Sequence, residues 1–191
     1  MTSISIREGR GDDASAAARI DMESWRSTYR GLVPDAVLDQ LDAADTEPRM
    51  RMRLESIAAG TAPALACGFV AEDERGTVVG YVFAGPCRPM RSGDLPEGFD
   101  SEIYALYLAP GYEGRGIGSR LVHAAAERLR EAGARSVIIW ALAGNPNRGF
   151  YEALGGVMVY EQDITIGDKD LREVGFGWRE IDALIARSAR R

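Results

Sequence analysis

Cysteine and histidine are scarce in this sequence of 191 residues: Cys67, Cys87 and the lone His123. Two cysteines cannot build a disulfide framework, and no Cys-x-x-Cys spacing exists to hold zinc. Each reads instead as a small apolar residue of the interior. A single histidine removes most His-dependent metal sites and weakens any Ser-His-Asp reading. No metal is expected. Long apolar runs are missing too: none nears the ~18 residues of a membrane span. The opening Met1-Thr2-Ser3-Ile4 lacks the basic-then-apolar order of a signal peptide. The expectation is a cytoplasmic protein with no membrane partner. Positive charge is in deficit, 23 Lys and Arg against 29 Asp and Glu, for a net −6. That balance argues against a nucleic-acid coat and favours cationic small molecules or basic peptides.

What remains is ordinary globular material, 46% hydrophobic and 27% charged. A chain of this size forms one domain, spanning 1–191, and buries roughly 70% of its unfolded surface without a disulfide or metal staple. Ile4-Ser5-Ile6 alternates as a short edge strand. Asp12 or Asp13 caps a helix over 16–28, with Ala17, Ile20 and Ser24 along one side. Pro34 opens a second helix to about residue 41, and Thr46 and Pro48 start a third over 49–59. Met50, Met52 and Leu54 should pack under a sheet.

Strands are expected at 64–72 and 77–84, joined by Asp73-Glu74-Arg75-Gly76 as a hairpin. Pro86, Pro89 and Pro96 make 86–98 a surface loop. A strand over 102–108 runs into a glycine-dense turn and a helix to about residue 132. Further strands follow at 136–142, 157–166 and 171–178, with a short helix opened by Asn145 and Pro146 between the first two. Arg187, Arg190 and Arg191 end the chain as a solubilising tail. Helices and strands are mixed, which implies an α/β (α+β) fold with a mixed sheet of six to seven strands. His123 lies off the apolar stripe of its helix and should face water.

The sharpest local feature is the turn Gly111-Tyr112-Glu113-Gly114-Arg115-Gly116-Ile117-Gly118. Without Cβ atoms its backbone can approach a ligand closely, and its N–H groups converge at a helix N-terminus that favours anions. Read from glycine content alone, it is either a phosphate cradle or a ligand-free helix start. A Walker A loop fails, because Ile117 and Gly118 stand where Lys and Ser/Thr are required. A dinucleotide fingerprint fails at Ser119 and lacks the repeated βαβ setting.

The segment Glu102 to Leu121 resembles the acetyl-CoA motif of the GNAT superfamily of N-acetyltransferases, Gln/Arg-x-x-Gly-x-Gly/Ala, with the frame on Glu113 to Gly118. Glu113 departs from its first position. Downstream, Asn145-Pro146-Asn147-Arg148-Gly149-Phe150-Tyr151-Glu152-Ala153-Leu154-Gly155 resembles the family's second half-site. Glu23 to Gly31 resembles its acceptor-side helices. The resemblance implies acetyl-CoA as cosubstrate and direct attack by a primary amine of a small molecule or peptide. It divides the domain into an acceptor-side part (1–60), a central sheet with the acetyl-CoA loop and helix (64–133), and C-terminal strands with a short helix (136–180).

It also implies roles. Backbone groups of Leu106, Tyr107 and Leu108 would pair with the pantetheine arm between two splayed strands. Gly114, Arg115, Gly116, Ile117, Gly118 and Ser119 would hold the pyrophosphate, and Asn145 would bond the arm or fix its loop. Tyr151 is the candidate general acid, against a reading as a core aromatic. Glu102 is the candidate base, acting directly or through a water, against a solvated edge carboxylate. Trp25 and Tyr29, four apart on one helix, are candidates to line the acceptor pocket, or core. Dimerisation is common in that family, and the C-terminal strands are available for a homodimer. Rival readings are a non-catalytic acyl-CoA sensor and a nucleotide-binding regulatory domain.

Overall fold

The structure, a computed structural model, describes residues 3–190. Met1, Thr2 and Arg191, on which parts of the leader and tail readings rest, lie outside them. In chain order the elements are β1 (Ile4–Glu8), a short 3-10 turn (Gly11–Asp13), α1 (Ala14–Thr28), α2 (Asp35–Asp39) and α3 (Ala43–Ala58). There follow β2 (Cys67–Asp73), β3 (Val78–Pro86), β4 (Ser101–Leu108), α4 (Ile117–Glu131) and β5 (Val137–Leu142). The chain ends with α5 (Arg148–Ala153), β6 (Val157–Ile166), β7 (Lys169–Trp178) and α6 (Ile181–Ser188). The strands form one mixed sheet in the order β1-β2-β3-β4-β5-β7-β6, in which only β4 and β5 run parallel.

Alternation along the strands sends residues to two cores. On one face Val79, Val82, Ile103, Ile139 and Phe176 pack beneath α4 and α6. On the other, Val70, Tyr81 and Phe83 pack beneath Ala17, Ile20 and Leu54 of α1 and α3. The start of α1 is tied to the sheet edge by Arg7 of β1, which bonds both Asp13 and Glu72.

Several expectations need correction. α3 begins at Ala43 rather than 49, because the Asp42 side chain accepts the Ala44 N–H at 2.9 Å and caps the helix. Pro48 then sits inside the helix at the loss of one backbone bond. Met50 and Leu54 are buried, but Met52 is exposed, since a two-residue step turns a helical side chain some 200° away. The expected tail is in part the helix α6, whose Ile181, Leu184, Ile185 and Ser188 are buried at helical spacing against α4. That helix also covers His123, whose Nδ1 lies 3.2 Å from both the Ile185 carbonyl and the Ser188 hydroxyl. The imidazole therefore belongs to a helix interface and not to open solvent. Among the described residues no helix is long and apolar enough to cross a membrane.

Candidate active site

β4 and β5 are paired over three positions only, Ser101 with Val137, Glu102 with Ile138 and Ile103 with Ile139. Beyond them β4 stays with β3 up to Leu108, while β5 stays with β7 up to Leu142, and the two part. The parting begins at Tyr104, an extra residue in β4 between the pairs Ala84–Ile103 and Phe83–Ala105. Such a bulge bends its strand and increases the local twist. Ala109 N–H donates to the Val79 carbonyl at 2.8 Å. By alternation, the backbone groups of Leu106 and Leu108 point away from β3, into the gap. The Ser24 hydroxyl donates to the Leu108 carbonyl at 2.7 Å. Tyr107 differs: its backbone turns toward β3, so only its side chain can serve the cleft.

The gap opens into a cavity of about 550 Å³. At one end the glycine-dense turn delivers α4. Gly111, Gly114 and Gly116 have φ of +87°, +71° and +74°, the left-handed region that side chains disfavour. Gly116 caps α4 without a side-chain bond, and the first internal helix bond at this end runs from Arg120 N–H to the Gly116 carbonyl. The N–H groups of Ile117, Gly118 and Ser119 thus open the helix without internal acceptors, facing the cavity end lined by Gly116, Gly118 and Ser119. A Cβ on Gly114 would meet nothing within 4 Å, so the space above it is free for a ligand. Arg115 leans over the Tyr112 ring at 5.0 Å, and the Glu113 carboxylate accepts the Gly111 N–H at 2.8 Å. Part of the Glu113 charge is satisfied inside the turn.

At the other end stand aromatic and hydroxyl groups. Tyr29 lines the cavity and accepts from the Asn145 amide at 3.1 Å; Asn145 in turn accepts the Asn147 N–H and sets the turn into α5. Trp25 does not line the cavity. It packs against Tyr29 at a tilt of 58° with ring centres 4.8 Å apart, and donates its indole N–H to the Tyr107 hydroxyl at 3.0 Å. Burial pushes the Tyr29 and Tyr107 hydroxyls above the ordinary phenol value.

Tyr151 lines the cavity with its ring packed between Phe150 and Phe176. Its hydroxyl makes no hydrogen bond to another described residue, and no buried side-chain oxygen among the described residues is left unpartnered. The hydroxyl is therefore open to the cavity. Burial, and then the nearby Tyr29, raise its pKa well above that of a free tyrosine. The phenol keeps its proton.

Glu102 is the main departure from expectation. It is 1% exposed, it does not line the cavity, and both of its oxygens are engaged by Arg88. It is not a solvated edge carboxylate: it is paired with Arg88 beneath the surface and stands apart from the cavity lining. Removing Arg88 would leave a buried carboxylate unpaired. Arg88→Ala is expected to destabilise the fold by about 1–3 kcal/mol, moderated by the exposure of the arginine. Urea denaturation checks this; an unchanged midpoint and slope would show that the pair has no structural weight.

Sequence reasoning missed Ser27, Thr28, Tyr104, Trp140 and Phe150, which also line the cavity. Trp140 had a signal, as the middle of a strand beside the cofactor motif, but only the splay exposes it. Neither thiol lines the cavity, and burial raises both Cys67 and Cys87 to about 12. Among the described residues no cluster of three His, Cys, Asp or Glu side chains could hold a metal ion.

A parted pair of parallel strands thus ends at an open, glycine-capped helix, and comparison with known proteins places that geometry in a family. The model of the acetyltransferase (GNAT) family matches residues 23–156. A protein described as the uncharacterized N-acetyltransferase YuaI of Bacillus subtilis is 33% identical over 181 residues, 95% of this chain and 96% of that one. Among solved structures, the PaiA N-acetyltransferase of Thermoplasma acidophilum, in complex with coenzyme A, superposes with a TM-score of 0.68 at 18% identity, covering 90% of this chain and 98% of that one. A phosphinothricin acetyltransferase of Sinorhizobium meliloti, in complex with AcCoA, gives 0.66 at 23% identity, covering 92% and 87%. The chain belongs to the GNAT family of acetyltransferases. It is an acetyl-CoA-dependent N-acetyltransferase.

Proposed function

We propose that this enzyme moves the acetyl group of acetyl-CoA to a primary amine of a small molecule or peptide, bound at the Tyr29 and Tyr104 end of the cavity. The observation that carries the reading is the continuity of one cavity from the α4 N-terminus, through the gap between β4 and β5, to the Tyr151 hydroxyl. Acetyl-CoA supplies an activated thioester, so no protein nucleophile is required. The chain's part is to orient, to polarise and to move protons.

The N–H groups of Ile117, Gly118 and Ser119, with Gly114 and Gly116 giving close access, hold the pyrophosphate at the helix N-terminus. Leu106 and the Leu108 N–H pair with the extended arm, and the Leu108 N–H donates to the thioester carbonyl oxygen. As the new N–C bond forms and the C–S bond breaks, Tyr151 gives its proton to the departing sulfur. The amine loses its proton to cleft water, not to Glu102. Asn145 acts on the site through Tyr29 and the turn into α5.

The direct test is thiol release from acetyl-CoA across a panel of amines, amino acids and peptides. Release with at least one acceptor is expected. Silence across the panel from protein that binds CoA would instead favour a sensor.

A further inference from the structure

We propose that the acceptor carries a carboxylate beside its amine, as an α-amino acid does, and that Arg53 holds that carboxylate. This rests on the amine-transfer reading above and narrows its acceptor. Tyr104, the bulged residue of β4, lines the cavity, and two cations just outside that lining lie against its ring. The guanidinium carbons of Arg53 and Arg88 lie 5.1 and 4.7 Å from its ring centre, and Arg53 also lies 5.3 Å from that of Phe83. Aromatic faces hold both guanidinium groups in place, which limits what they lose on binding.

The two arginines differ in what they face. Arg88 commits Nε and one terminal nitrogen to Glu102. Arg53 has no carboxylate within ion-pair distance among the described residues, so its donors are free for a bidentate contact. The other acids nearby do not reverse the sign. Asp21 accepts from the Tyr81 hydroxyl and faces Arg49, and Glu173 accepts from Gln162 and faces Arg88.

Arg53 therefore brings a positive charge without an ion-pair partner to the ring of a cavity-lining residue, in a protein whose net charge is −6. A bare amine or polyamine would approach an unanswered cation there, whereas an amino acid brings the counter-charge with it. The sign of the whole chain, which favours cations, is not the sign at the acceptor.

The test compares amino acids with the amines that remain when their carboxylate is removed, such as leucine with isoamylamine and phenylalanine with phenethylamine. Both members of each pair are run with acetyl-CoA on the wild type, Arg53→Gln and Arg53→Lys. At least one amino acid should exceed its amine in kcat/KM by about tenfold or more. Arg53→Gln should remove that ratio by raising the KM for the amino acid, with the KM for acetyl-CoA unchanged, and Arg53→Lys should restore part of it. Arg53 is exposed, and circular dichroism checks that the variants fold. Amines matching or beating the amino acids, or a ratio indifferent to Arg53→Gln, would overturn the proposal. Calorimetry on the CoA-loaded protein separates the two readings. Amino acids that bind through Arg53 without thiol release would sink amine transfer and keep the carboxylate site. Neither binding nor release in any pair would sink the carboxylate site.

Discussion

Tyr151→Phe is expected to lower kcat by about 10²-fold or more, within the usual range for a lost general acid. The substitution keeps the ring between Phe150 and Phe176 and removes only a hydroxyl that bonds to no other described residue. Stability should therefore move little. Because the proton is needed only as the thioester breaks, kcat and kcat/KM should fall together while the KM for acetyl-CoA stays the same. Acid catalysis requires the protonated phenol, and burial raises its pKa. The sign is clear: no loss assignable to Tyr151 should occur up to the pH at which an ordinary tyrosine ionises, and any such loss lies on the alkaline side beyond it. Steady-state kinetics against pH on both proteins provide the measurement. A variant within twofold of the wild type would remove Tyr151 from the chemistry.

Gly116→Val should abolish tight binding of the cosubstrate without touching the acid. Gly116 sits at φ +74° as the cap of α4, and a β-branched residue there costs about 1–2 kcal/mol in backbone strain alone. The larger effect is at the ligand. Relief of the strain rotates the peptide and swings N–H groups at the helix start away from the proposed phosphate position. A rise in Kd for CoA of about 100-fold, roughly 2.7 kcal/mol, is the expected result by calorimetry. An unchanged Kd would show that the pyrophosphate lies elsewhere.

Much of this arrangement is legible in the order of the amino acids, because strand alternation and turn chemistry are local. β6 falls at 157–166 as expected, and the hairpin between β2 and β3 turns at Asp73 to Gly76, where the Asp73 carboxylate accepts the Arg75 and Thr77 N–H groups. The misreadings share a non-local cause. Pro48 looks like a helix start until Asp42, six residues earlier, provides a better cap. The arginines near the C-terminus mask the apolar face of α6, and without α6 nothing places His123 at an interface. Alternation puts Glu102 and Tyr104 on β4, but it does not show that Arg88 folds back from fourteen residues away to occupy the carboxylate. Nor does it reveal Arg53, which reaches Tyr104 from a helix of another part of the chain. The glycine turn is legible as a helix start, since its conformation depends on backbone that its own residues shape.

The three shared rungs of β4 and β5 leave a slot whose walls belong to different halves of one sheet. Ser24 of α1 grips the β4 wall through the Leu108 carbonyl, while Tyr29, just past the end of the same helix, is bonded to Asn145 beyond the end of β5. One helix thus straps the mouth of the slot from outside the sheet. A substitution that loosens either fastening would therefore act on the width of the slot without touching any residue of its walls.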